Sequence, residues 1–233
     1  MRNLKRTLSL ALASVMLVGM MSVGASAVNA SDFTDADEIV NKDAVSTMTA
    51  LGIINGKEDG SYFDPTGNVT RAEMAKMLCV AINGGVDPVL GVKDTPTFTD
   101  IKGTWAESYI EYCAANGIIA GRGNNKFDPT GTVSATEAAK MLLGVLGYSA
   151  EKSGLVGNDW AINTNVLANQ NGLYKKLSNL NANTLLTRDN AAQMIYNALD
   201  ADMVELNAAG NYTTSQYSYT GTESVVTGTE RVW

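Results

Sequence analysis

The chain has 233 residues, with 17 Lys and Arg against 24 Asp and Glu, no His, two Cys and four Pro. This length holds one or two domains, and 45% hydrophobic residues suffice for a buried core. The absence of His excludes Ser/His/Asp and Cys/His catalysis, His-ligated metals and a histidine pH switch; the acidic balance argues against nucleic acid and against electrostatic docking on anionic lipid.

Residues 1–27 read as a secretory signal. Arg2, Lys5 and Arg6 form a basic start, Leu8 to Val23 an apolar run, and Ala25-Ser26-Ala27 a small-residue cleavage pattern, with Ala30 as a second cut site. An uncleaved anchor is the other reading, but the run is short and no basic stop-transfer cluster follows. Removal of the segment leaves 14 basic residues against 24 acidic ones, a net charge of −10.

The rest repeats itself. Phe33-Thr34-Asp35 returns as Phe98-Thr99-Asp100, and Leu51-Gly52-Ile53-Ile54-Asn55-Gly56 as Asn116-Gly117-Ile118-Ile119-Ala120-Gly121. Phe63-Asp64-Pro65-Thr66-Gly67 returns as Phe127-Asp128-Pro129-Thr130-Gly131, and Ala75-Lys76-Met77-Leu78 as Ala139-Lys140-Met141-Leu142. A worn third copy keeps Trp160 (for Trp105), Gly172-Leu173 and Thr187-Arg188, but has lost Phe-Asp-Pro. Repeats of this length signal stacked supersecondary units that cannot bury their apolar faces alone.

Each unit predicts helix, loop, helix. Val40, Ala44, Met48 and Leu51 fall at helical spacing, as do Trp105, Tyr109 and Cys113. Gly52 and Gly117 stand where a left-handed helix end is wanted, and the following Ile-Ile pairs could form a short extended piece. Asp-Pro-Thr-Gly is a turn, and the second helix carries Met74, Met77, Leu78 and Ala81 inward. The fold class is therefore all-α, with units at 31–82, 95–147 and 154–203. Residues 204–233 form a linker or the start of a further domain, in which Gln216 to Tyr219 and Ser224 to Thr227 read as short strands.

Thr70-Arg71-Ala72-Glu73 and Ser134-Ala135-Thr136-Glu137 are capping boxes, weakened in the third unit to Thr187-Arg188-Asp189-Asn190. Thr and Glu are explained by the cap. Arg71 is not: a cation at the first helical position is disfavoured by about 0.3–1 kcal/mol. Two readings stand: an arginine beside free N–H groups that grips an external acid, or one that pairs with a neighbouring unit's Asp. Arg188 repeats the case, whereas Ala135 removes it from the second unit.

These motifs together resemble S-layer homology domains over residues 31–203. The resemblance implies three units in a pseudo-threefold bundle with grooves between them. It also implies non-covalent attachment to the cell envelope through a secondary cell-wall polysaccharide bearing a pyruvate ketal, whose carboxylate suits an arginine. Modified peptidoglycan is the alternative partner, and a structural S-layer or scaffold role the alternative function. Carried over by position, the ligand-binding candidates are Asp35, Arg71 and Glu73; Asp100 and Glu137; and Arg188, with Asp159 a loose stand-in for the early acid of unit three. One groove centres on Arg71 and a second on Arg188. The resemblance implies no catalytic residue, metal or cofactor, no nucleic acid partner, and no membrane contact once the signal is removed.

Other patterns fit less well. Asn55, Asp59 and Gly60 suggest a calcium loop, but Thr66 stands where the closing Glu belongs. The acidic residues fall at caps and turns, which suits structure better than glycoside hydrolysis. Trp105 and Trp160 read as core positions, with sugar stacking as the alternative. Cys79 and Cys113 lie within apolar helical patterns and read as small buried hydrophobes, although an exported chain would let them pair.

Overall fold

Six α-helices, three sequential pairs, build the bundle in a computed structural model that describes residues 28–57, 59–177, 180–181 and 183–214 and the backbone of 216–219 and 223–226. The predicted signal segment, residues 1–27, lies outside the described residues. The first pair is α1 (Lys42–Ala50) and α2 (Arg71–Ile82), the second α3 (Glu107–Ala115) and α4 (Ala135–Val145), the third α5 (Trp160–Gln170) and α6 (Arg188–Leu199). Each first helix packs on the second helix of the preceding pair: α3 on α2, α5 on α4, and α1 on α6. The last contact closes a ring, so no pair buries its apolar face alone, as the repeats predict.

Backbone hydrogen bonds close the same ring at the centre. Val69 N–H donates to Leu186 O at 2.8 Å, Val133 N–H to Val69 O at 2.9 Å, and Leu186 N–H to Val133 O at 2.9 Å. These residues precede the caps of α2, α4 and α6, and their side chains are fully buried. Three helix starts are thereby gathered around one pseudo-threefold axis.

The second helices of the pairs begin, and the first helices end, where the sequence predicts. Thr70 Oγ1 accepts from Glu73 N–H, and the Glu73 carboxylate takes the Thr70 N–H at 2.8 Å; Ser134 and Glu137 do the same. Thr187 accepts from Asn190 N–H without a return bond. Gly52, Gly117 and Gly172 follow the first helices at φ of 70°, 71° and 69°, the left-handed C-terminal conformation. Phe63, Phe127, Met74, Leu78 and Leu142 are among the core side chains. Each contributes about 1.5–3 kcal/mol by leaving water.

Three expectations are corrected. Val40 and Trp105 are 83% and 60% exposed rather than core. They precede the first turns of α1 and α3, so helical spacing does not govern where they point. Trp160 opens α5 half-buried, with Lys140 Nζ 5.2 Å from its ring centroid. The Ile-Ile pairs at 53–54 and 118–119 are buried in turns and form no strand.

The tail is β-structured. β1 (Val204–Leu206) pairs antiparallel with β2 (Tyr212–Thr214), and β3 (Gln216–Tyr219) with β4 (Glu223–Val226). The second hairpin was legible in the sequence, its last strand one residue earlier than read; the first was not. It docks beyond α4: Val204 N–H donates to Leu146 O, and the Tyr212 hydroxyl meets Ser149 N–H and Ser153 Oγ while its ring lies 5.0 Å from that of Tyr148.

Candidate functional site

At the junction of the first and second pairs, Asp100 accepts the N–H groups of Phe127 and Asp128 at 2.9 and 2.8 Å. That clamp holds Asp128 at φ 63°, a left-handed conformation uncommon for a non-glycine residue. A Cβ on Gly131 would stand 2.1 Å from the Asp128 carboxylate, so a side chain there would have to displace that carboxylate. The loop presents its carbonyls to the start of α2. Arg71 N–H donates to Gly131 O at 2.9 Å and Ala72 N–H to Pro129 O at 3.0 Å. The Arg71 side chain follows: Nε donates to Phe127 O at 2.8 Å, Nη2 to Ala120 O at 2.7 Å, and Nη1 lies 3.3 Å from Glu137 Oε1. The guanidinium carbon stands 4.4 Å from the Phe127 ring centroid, and Arg71 is 3% exposed.

Burial pushes the Arg71 pKa down to about 10, against the pull of Glu137, so it stays cationic at neutral pH. Glu137 is shared. Arg122 donates to both its oxygens, and also to Asp128 and the Thr132 carbonyl. Burial alone would raise the Glu137 carboxyl; the Ser134 N–H and the guanidiniums of Arg122 and Arg71 outweigh it and hold the group below its ordinary range.

The junction of the third and first pairs is built likewise. Asp35 accepts from Phe63 and Asp64 N–H at 2.9 and 2.7 Å, and Asp64 stands at φ 61°. Arg188 N–H donates to Gly67 O and Asp189 N–H to Pro65 O. Arg188 Nε donates to Phe63 O and Nη2 to Asn55 O, both at 2.8 Å, with the guanidinium 5.1 Å from the Phe63 ring. Arg188 is 5% exposed. Its neutralisation differs. Lys57 pairs with Asp64, Glu73 bonds to its own cap, and among the described residues no carboxylate hydrogen-bonds Arg188.

The third junction lacks this device. Ala135 donates its N–H to Thr184 O but has no side chain to send across, and the third pair has neither the loop nor the early acid. Asp159 stands at the start of α5 without a side-chain capping bond and does not replace Asp35 or Asp100. Outside the third–first junction an open cleft of about 350 Å³ is lined by Val40, Asn41, Pro65, Lys176, Thr187 and Asn190 among others. Lys176 is its exposed cation, 3.9 Å from Asp43 Oδ2.

Residues 32–75 and 97–139 each match the S-layer homology domain family. The chain carries S-layer homology domains. It is 30% identical over 113 residues to an S-layer protein of Bacillus licheniformis, covering 48% of this chain and 12% of that protein. It is 30% identical over 170 residues to the middle cell wall protein of Brevibacillus brevis (69% and 15%), and 28% identical over 207 residues to a cell surface protein of Thermoanaerobacter kivui (88% and 26%). The chain thus spans at most about a quarter of the length of these relatives.

Within these S-layer homology domains, the picture of Arg71 and Arg188 as open anion grips beside free N–H groups is corrected. The first two N–H groups of α2 and α6 are bound to carbonyls of the next pair, and both guanidiniums are interior. Four of the six predicted residues form two relays, acid to loop and loop carbonyl to arginine; Glu137 joins the Arg71 relay, and Glu73 stays on its own helix cap. Sequence reasoning missed Lys57, Arg122 and Lys176. One signal was available. The pairs that carry Phe-Asp-Pro-Thr-Gly, first and second, are those reached by an arginine from the preceding pair; the third lacks the loop, and the second pair, which would reach it, carries Ala135. Among the described residues no helix is long and apolar enough to cross a membrane, and no group of three or more Cys, Asp or Glu gathers as a metal site.

Proposed function

We propose that this chain anchors a cell-surface protein non-covalently to the bacterial envelope by seating a cell-wall glycan in the clefts between helix pairs. The observation that carries the reading is the cleft beside the Arg188 junction. Its rim offers amide and hydroxyl groups (Asn190, Thr187), one exposed cation, Lys176, and two carboxylates, Glu38 and Asp189, of which Asp189 is held by Asn41. Amides and hydroxyls match sugar hydroxyls, and a lysine suits an acidic substituent such as the carboxylate of a pyruvylated secondary wall polysaccharide. Asp35, Glu73 and Arg188 hold the wall of this cleft in place, and Asp100, Glu137 and Arg71 do the same at the neighbouring junction. Modified peptidoglycan is the competing glycan.

Under this reading residues 1–27 export the chain, residues 154–203 are a third, divergent copy, and the module has no catalytic step. Its relatives from B. brevis and T. kivui, named for the cell wall and cell surface, support the location. A scaffold role is favoured by one observation: Ile162 and Val166, one turn apart on α5, are exposed and apolar.

The test is co-sedimentation of the exported chain with purified walls. Binding is expected to be lost on walls stripped of polysaccharide and to weaken roughly tenfold in Lys176→Ala, a loss of ~1.4 kcal/mol typical of one charge-assisted contact. Equal binding to stripped walls would overturn the polysaccharide reading; self-association without walls, abolished by Ile162→Ser, would favour the scaffold.

A further inference from the structure

Both cysteines of the chain stand at one junction. Cys79 lies on α2 of the first pair and Cys113 on α3 of the second, and α3 packs on α2. Their sulfurs are 3.4 Å apart, and the side chains are 1% and 0% exposed. Each thiol also faces the partner helix: Cys79 Sγ is 3.6 Å from Tyr109 O and Cys113 Sγ 3.6 Å from Ala75 O. In the repeat register the same places hold Leu143 and Ala168 at the second–third junction, and Tyr196 and Met48 at the third–first junction. Packing there is met without a thiol. The two sulfurs arrive together, at one junction, face to face.

We propose that Cys79 and Cys113 are oxidised to a disulfide that fastens the first helix pair covalently to the second. The oxidant is a small-molecule or protein disulfide of the compartment the exported chain enters; the proposal rests on the export reading for that encounter, and on geometry for the pairing. One cysteine thiolate attacks the external disulfide, releases one external thiol and forms a mixed disulfide. The second cysteine thiolate then attacks the first cysteine's sulfur and releases the other external thiol. Two protein S–H bonds and one external S–S bond become one protein S–S bond and two external S–H bonds, and the two electrons reside in the released thiols.

The geometry asks for little. A disulfide needs sulfurs about 2.0 Å apart, so the pair must close by about 1.4 Å, shared between two side chains. Timing is set by burial. Neither sulfur is accessible in the closed bundle, and the neighbouring Cys79 thiol and the apolar surroundings push the Cys113 thiol up, which suppresses its thiolate. Exchange therefore takes place before α3 docks, and docking brings in the second thiol. The bond closes a loop of 34 residues that includes the segment between the first two repeats.

The test uses the full chain, unfolded under reduction and refolded in a mixture of reduced and oxidised glutathione, then quenched in acid and alkylated in denaturant. The expected product is monomeric, lighter by two hydrogen atoms, unalkylated, and yields a peptide joining Cys79 to Cys113. Reductant is expected to lower its thermal midpoint by roughly 5–10 °C, with no change in Cys79→Ala/Cys113→Ala. Two alkylated thiols, glutathione adducts on separate cysteines, or a disulfide-linked dimer would each overturn the proposal. Should refolding fail, alkylation and mass measurement of the protein released from the cell surface gives the same decision. Wall binding by Cys79→Ala/Cys113→Ala keeps the anchoring reading separate, because that variant, in which no bridge can form, is expected to bind as the parent does.

Discussion

At the Arg71 junction the buried guanidinium shares Glu137 with Arg122, and Arg122 in turn holds Asp128. At the Arg188 junction the matching cation, Lys57, is absorbed by Asp64, Glu73 stays on its own helix cap, and Arg188 is left with carbonyls and a ring. The same loop, clamp and arginine thus give one junction whose charges are joined by hydrogen bonds and one whose buried cation, among the described residues, has no hydrogen-bonded carboxylate and feels Glu73, Asp64 and Asp35 only through space. The open cleft lies beside the second. The charges of the first junction are tied to one another by hydrogen bonds, whereas those of the second act on Arg188 through space, a weaker constraint on the loop that borders the cleft.

The comparison predicts unequal costs. Arg71→Ala is expected to be the most damaging, at about 3–4 kcal/mol, because it strands the carbonyls of Phe127 and Ala120, weakens Glu137 and leaves a hole under a phenylalanine ring. In this size range that corresponds to a thermal midpoint lower by roughly 10 °C, measurable by calorimetry or urea unfolding. A loss under about 1 kcal/mol would mean the guanidinium is not structural and would return it to the ligand. Arg188→Ala is expected to cost less, about 2–3 kcal/mol, since two carbonyls but no carboxylate lose their partner. Wall binding by this variant at a temperature where it is fully folded separates positioning from direct contact.

The caps give a smaller contrast. Thr70→Ala is expected to cost about 1–1.5 kcal/mol and Thr187→Ala about 1 kcal/mol, because the Thr70 hydroxyl both receives the Glu73 N–H and donates to its carboxylate, whereas Thr187 serves Asn190 alone. Equal losses in urea titrations would remove the side-chain bond between Thr70 and Glu73 from the account.

Much of this was legible beforehand, for a physical reason. Capping boxes, helix-ending glycines and the Phe-Asp-Pro-Thr-Gly turn are local devices, and local devices leave local signatures. The destination of the arginines is of another kind. Arg188 reaches Phe63 across 125 positions, through a ring closure that no stretch of sequence displays. Its acceptors are backbone carbonyls, which every residue carries and which therefore mark no position. Asn55 and Ala120 accept equivalent bonds from Arg188 and Arg71 although their side chains share nothing. What the residues do betray is the pairing of parts: where the loop is lost, so is the arginine of the preceding pair. The first hairpin was hidden because strands of three residues carry too little alternation to read.

Acid offers the finest probe of the difference between the junctions. Glu137 is held below its ordinary pKa of 4.5 in the folded chain by the Ser134 N–H, Arg122 and Arg71, which together outweigh burial. The folded state therefore binds its proton less readily than the unfolded state, and the stability this contributes is present above about pH 4.5 and is lost as pH falls through the folded value. Glu137→Gln removes the titration. It is expected to be less stable than the parent at pH 7, and the gap is expected to narrow as both are taken below pH 4.5, in unfolding curves measured at constant ionic strength. In an Arg122→Ala background the gap at pH 7 is expected to shrink by about 0.5 kcal/mol, the usual worth of a partly exposed ion pair. A gap that stays constant from pH 7 to pH 3 would show that the charge of Glu137 contributes nothing to stability, and the two junctions would then differ in shape but not in charge.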